Sequence, residues 1–253
     1  MAPAVAESEI VYNILNSEFV KYDYDRWIRY FHHNSGQRLR IDFSGETELS
    51  SEQRKRIFPS ITAFQKGERS EGGYFLSAAE RFAEEKKEPS YTEAVRYFIK
   101  EENTHSAYLA QYMKWHRVPE KKYSVLDSIF RRLRQVNGIR SEVTVLVTAE
   151  IIALSYYTAL KNATKSSALK SICSQMLHDE LPHVVFQSYT LAHFHNTAWT
   201  GFQRRALMMA ACLAVWTAYR SVFRSGGYSL RRFLQNSLLL LHRSDVIARK
   251  TGW

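Results

Sequence analysis

The chain has 253 residues, 45% of them hydrophobic and 24% charged, which allows one large domain or two small ones with a packed core. Two cysteines, Cys173 and Cys212, exclude a disulfide framework or a thiolate metal site within one chain and point to a reduced, cytoplasmic setting. The net charge of +10 is uneven: residues 1–102 carry 15 Lys/Arg against 18 Asp/Glu, and residues 103–253 carry 20 against 7. From Gly201 onward Asp245 is the only acid. Such asymmetry suits RNA, acidic lipid or an acidic partner protein, or else a solvated helix face.

The opening MAPAVAESEIVYN has no basic n-region and no apolar h-region, so no secretory signal is expected. Aromatic residues from Tyr12 to Phe31 predict one or two short helices over about 8–32, followed by a polar turn at Asn34-Ser35-Gly36. Ser50 with Gln53 has capping-box form and opens a long helix expected to reach about Glu85, through Pro59 and the weakening pair Gly72-Gly73. Ser90 with Glu93 is a second capping box, opening a helix that stops after Arg117, before Pro119. A long connection follows, with a short basic amphipathic helix over 125–135. A third core helix is expected over about 140–163 and a fourth over about 167–196. Pro182 lies inside the fourth, where it removes a backbone donor and should open the helix locally. Two more helices, about 198–224 and 229–248, flank Gly226-Gly227. The uncharged stretch 206–219 has 14 residues, too short to span a bilayer, so no transmembrane segment is expected.

Short loop, long crossover and short loop make an antiparallel four-helix bundle. The reading is all-α, a single domain with a core over about 51–196 and accessory segments 1–50 and 197–253.

The third helix poses a chemical problem. In VTVLVTAEIIALSYYTAL, residues 143–160, Glu150 stands among apolar side chains, with no basic residue between Arg140 and Lys161. An ionised carboxylate there is costly unless it is paired, protonated or bound to a cation. Glu102-x-x-His105 and Glu180-x-x-His183 each put a carboxylate and an imidazole on one helix face. Each pair sits on the second helix of a hairpin whose first helix carries a Glu: Glu68, 34 residues before Glu102, and Glu150, 30 residues before Glu180. Phe75 and Tyr157 follow those Glu residues by seven, so the two halves look like a distant internal duplication.

On these residues the chain resembles the ferritin-like diiron-carboxylate superfamily, over roughly residues 54–190. That resemblance implies a ferritin-like bundle and metal ligands at Glu68, Glu102, His105, Glu150, Glu180 and His183, with Glu102 and Glu180 placed to bridge two ions. Glu71, three residues after Glu68 on nearly the same face, is the alternative first ligand. The implied cofactor is two iron ions, with manganese or a mixed Mn/Fe pair as variants. In the oxygenase branches an acid often precedes each motif. Here Glu101 and Asp179 do, and they are expected to orient the imidazoles across the bundle, Asp179 accepting from His105 and Glu101 from His183. The implied activity is that of an oxygenase or oxidase activating dioxygen or peroxide. A ferroxidase or peroxide scavenger is the alternative, and a metal-stabilised module binding RNA or protein a third. Electrons would come from an external donor, since no rubredoxin-like Cys-x-x-Cys and no flavin motif is present. A monomer or homodimer is expected. His178, His193 and His195 read as surface residues, and Tyr74, Phe75, Tyr156 and Tyr157 as core packing.

Overall fold

The structure, a computed structural model, describes residues 14–69, 72–121 and 138–249, and among them every regular element is helical. A 3-10 turn (Glu18–Lys21) leads into α1 (Tyr24–Ser35), α2 (Ser51–Glu68), α3 (Gly73–Lys86), α4 (Ser90–Trp115), α5 (Gly138–Ala163), α6 (Ser167–Ala192), α7 (Ala198–Ser225) and α8 (Leu230–Ala248). The expected helix over 125–135 lies outside the described residues.

Two expectations about helix ends fail for identifiable reasons. The long helix from Ser50 to Glu85 is two helices. α2 begins with the expected capping box, Ser50 Oγ accepting from the Gln53 amide at 3.2 Å and Gln53 Oε1 accepting from the Ser50 amide at 3.0 Å. It ends at Glu68, and Gly72 then takes a left-handed conformation (φ 72°) that a helix interior does not admit. The course survives the break, because both pieces run antiparallel along α4. Arg54 reaches the His116 carbonyl, Gln65 bonds Ser106, Phe75 meets Phe98 and Phe82 meets Tyr91. At the second site, Ser90 is the first residue inside α4 rather than its cap. Its hydroxyl donates to Asp25 of α1, so a tertiary acceptor replaces the local one. Pro182 sits within α6, which continues past it to Ala192.

α4 and α6 are also antiparallel. Their contacts step in opposite directions, from Glu101 with His183 to His105 with Asp179. α5 forms the hairpin partner of α6, and its apolar sequence is satisfied by burial on nearly all sides. It also touches α2, through Tyr156 bonded to Ser60 at 3.0 Å and stacked on Phe64. α1 lies over the α4/α6 pair: Tyr24 bonds Thr190, and Trp27 and Phe31 pack on Phe186.

α7 and α8 close the opposite side. Gly226 ends α7 so tightly against α5 that a Cβ there would lie 2.2 Å from the Ala159 carbonyl oxygen. α5 and α7 are both long and apolar enough, by length and composition, to cross a membrane. The apolar stretch is 83% buried in α5 and only 39% buried in α7. The uncharged segment 206–219 is therefore the middle of a longer apolar helix with one face uncovered.

Candidate metal centre

The i, i+3 spacing stacks each motif's carboxylate over its imidazole, and the antiparallel pairing of α4 with α6 brings the two motifs face to face. Glu102 Oε1 lies 3.1 Å from His183 Nδ1 and 3.7 Å from His105 Nδ1. Glu180 Oε1 lies 3.4 Å from His105 Nδ1, and its Oε2 lies 3.2 Å from His183 Nδ1. Each motif glutamate thus reaches both imidazoles. One ligand atom from each of the four residues falls within 4.8 Å of all the others, and all four side chains are buried.

Glu68 and Glu150 join this group from α2 and α5. Glu68 feels Glu180, Glu102 and His105, and accepts a hydrogen bond from the Tyr157 hydroxyl at 2.5 Å. Glu150 feels Glu180, Glu102 and His183. The four motif residues therefore meet at one place, and Glu68 and Glu150 are close enough to interact with it, Glu68 with His105 and Glu150 with His183. Glu71 lies outside the described residues.

The remote face of each histidine is held as the sequence suggests. Asp179 Oδ2 stands 3.0 Å from His105 Nε2, and Glu101 Oε2 stands 2.7 Å from His183 Nε2. These contacts place the proton on Nε2 and direct the Nδ1 lone pair inward.

Asn34 was not foreseen. It is not a turn residue; it sits in the last turn of α1, where its amide donates to Glu101 and, at 3.1 Å, to Asp179. One side chain thus ties together the two carboxylates that hold the two histidines. Gln175 adds donors to both oxygens of Asp179 at 3.0 Å, and the exposed His178 contacts Asp179 at 2.9 Å. Gln175 lies four residues before Asp179 on a helix and was legible by that spacing. Asn34 was not, because no local pattern links it to either acid. Replacing Asn34 with Leu is expected to weaken metal binding about tenfold or more, read by competition with a chromophoric chelator; unchanged affinity would remove Asn34 from the site.

The electrostatics are compatible with a bound cation. Burial, then repulsion from Glu180 and Glu102, pushes the carboxyls of Glu68 and Glu150 well above the usual range. Burial opposes charge on both histidines, but the carboxylates around them outweigh it and raise both: Asp179, Glu180 and Glu102 beside His105, and Glu101, Glu102 and Glu180 beside His183. Burial likewise opposes charge on Glu180 and Asp179, yet their hydrogen bonds hold both below the usual range. Three atoms aimed into the cluster, Glu102 Oε1, His105 Nδ1 and Glu180 Oε1, are buried without a hydrogen-bond partner. Buried polar atoms are rarely left so, and a divalent ion would engage all three. Mixed carboxylate and imidazole donors fit iron, manganese or zinc. The residues fit a metal ion and are compatible with a diiron site.

A pH dependence follows. Glu68, Glu150, His105 and His183 bind protons more tightly in the folded protein than in the unfolded chain. Their contribution is complete below the ordinary values of about 4.3 for Glu and about 6.5 for His, and is lost as pH rises through the raised folded values. Glu180 and Asp179 act oppositely, but only in strong acid. Metal-free protein should therefore lose thermal stability as pH rises above about 6.5, the ordinary histidine value, while metal loading, which displaces those protons, should hold better at the higher pH. Melting curves with chelator and with Fe(II) or Mn(II) test this: the gap must widen with pH, and a narrowing gap would contradict the protonation pattern.

His193 and His195 are not part of the cluster; His193 Nε2 instead faces Glu88 at 3.4 Å. Comparisons with family models, curated proteins and solved structures give no match for this chain.

Proposed function

We propose that this protein is a diiron-dependent oxidoreductase with a ferritin-like core, an oxygenase or oxidase that uses dioxygen or peroxide. The observation that carries the reading is the doubled arrangement: two Glu-x-x-His motifs face each other, each glutamate reaches both imidazoles, and each imidazole has its own carboxylate behind it. A structural metal needs no such symmetry and no shared carboxylates.

The ions would be held by Glu68, Glu102, His105, Glu150, Glu180 and His183. Once bound, an iron or manganese pair supplies redox electrons and open coordination positions. The chain's own residues do the rest. Asp179 and Glu101 fix the imidazole tautomers and raise their basicity. Tyr157 donates to Glu68 and so orients that carboxylate, while holding a proton at its hydroxyl oxygen beside the centre. Phe98 and Phe31 pack against the His183 ring and keep water from that side. Electrons would come from a separate donor protein.

The test is metal analysis of protein made in iron-supplied cells, then anaerobic reduction and exposure to oxygen under a spectrometer. About two metals per chain and an oxygen-dependent absorption change are expected. Reduced, loaded protein that shows no spectral response to oxygen or peroxide would overturn the redox reading and leave a structural metal. A monomer or dimer fits the enzyme; a many-subunit shell would favour iron storage.

A further inference from the structure

We propose that the outer face of α7 is a membrane-surface contact, which lies along an anionic lipid bilayer without crossing it. The inference does not depend on the metal centre.

α7 is apolar around most of its circumference but packs on one side only. Met208, Cys212, Val215, Trp216 and Phe223 face the protein. On the other side Trp199 is 64% exposed, Phe202 58% and Leu213 45%, and Trp199 stacks on Phe202 in solvent at 5.5 Å. Trp199, Phe202, Ala206, Ala210, Leu213 and Thr217 are all exposed and recur at three- and four-residue intervals, a continuous stripe about five turns in length. Scattered single apolar residues need no explanation; a stripe with two adjoining aromatics does.

Charge selects the occupant. Arg205 lies on the same helix, and Arg220 and Arg224 follow just past a kink at Tyr219; all three are exposed, with no ion pair among the described residues. The single acid after Gly201, Asp245, is buried and bonded to Arg204, so it does not offset them. A second copy set on this face would offer these arginines no acid from the same helix, which carries none. An anionic lipid surface satisfies both features: aromatic and aliphatic side chains enter the headgroup boundary while arginines meet phosphate. Spanning is disfavoured by packing, since it would strip the inner face of α7 from α5 and α8 and expose the buried Arg204.

The experiment is co-sedimentation of the full-length chain with vesicles of phosphatidylcholine alone, or with about one third phosphatidylglycerol. Binding to the anionic vesicles should exceed binding to neutral ones and weaken several-fold as salt is raised from about 0.1 M to about 0.5 M. Joint replacement Trp199→Ser and Phe202→Ser should reduce it at least about tenfold, and Arg220→Glu with Arg224→Glu several-fold, with helix content and metal content unchanged. Brominated lipid should quench wild-type tryptophan emission more than that of Trp199→Ser. The proposal is overturned if the protein stays in the supernatant at low salt, or if the apolar variant binds as well as wild type. It is equally overturned if the stripe proves to be a dimer seam, broken by the same variant without vesicle binding, or if RNA is held and vesicles are not.

Discussion

Protein carrying Glu180→Ala is expected to leave iron-supplied cells with almost no bound metal. Glu180 is fully buried, lies against both His105 and His183, and acts electrostatically on Glu150. Its loss removes a donor from both halves of the centre at once. Outer partners of a ligand are worth about 10- to 100-fold in metal affinity, so a shared ligand should cost more than that, about 100-fold at the least. Glu150→Ala should also empty the site, from the His183 side. Folding is not the confounder, because both imidazoles keep their outer carboxylates and a buried charge is removed rather than created. Circular dichroism of metal-free protein would establish this. The same assay separates the two candidates for the first ligand: Glu68→Ala should lose metal and Glu71→Ala should retain it. Full metal content in Glu180→Ala or Glu150→Ala would refute the ligand assignment, whatever the activity.

Asp245→Ala should be the most damaging single change to stability outside the centre. Arg204 and Asp245 are both buried, Arg204 also donates to Ser244 Oγ at 2.8 Å, and Ser244 lies 2.6 Å from Ser188 Oγ, so the network joins α7 and α8 to α6. Burial works against the guanidinium, and Asp245 compensates it. Removing the aspartate leaves a buried cation without its counter-charge, a loss of about 3–5 kcal/mol. Replacing both partners with apolar residues, Arg204→Met and Asp245→Leu, should restore most of that stability because no charge is then stranded. Denaturant midpoints of metal-free protein measure both. A single-variant loss below about 1 kcal/mol would show that water reaches the pair.

What the sequence made legible was whatever repeats at helical spacing. Glu150 betrayed itself as an acid in an apolar helix, and the two Glu-x-x-His pairs by their equal steps. The crosswise pairing of Asp179 with His105 and Glu101 with His183 is what the resemblance implies for an acid that precedes each motif, and the structure has both contacts. The failures share one cause, contacts made between elements distant in sequence. Ser90 and Glu93 look like a cap, but Asp25 from another helix takes the serine hydroxyl. Asn34, in an Asn-Ser-Gly run that reads as a turn, reaches acids 67 and 145 residues away. The Gly72-Gly73 pair was weighed as a weakness inside one helix, and the left-handed Gly72 makes it a boundary. The apolar face of α7 escaped because hydropathy alone does not say which side of a helix is covered.

That boundary bears on how the centre can behave. Glu68 is the final residue of α2, followed by Arg69 in extended backbone, whereas Glu150 is embedded midway along the 26 residues of α5. Helix ends open at far lower cost than helix interiors. The two halves thus hold these carboxylates differently: one sits mid-helix, the other at a helix terminus, where the Tyr157 hydroxyl donates to it. Two cations seated here would not be twins; the one beside His105 would exchange faster and tolerate larger swings of its carboxylate as its charge changed.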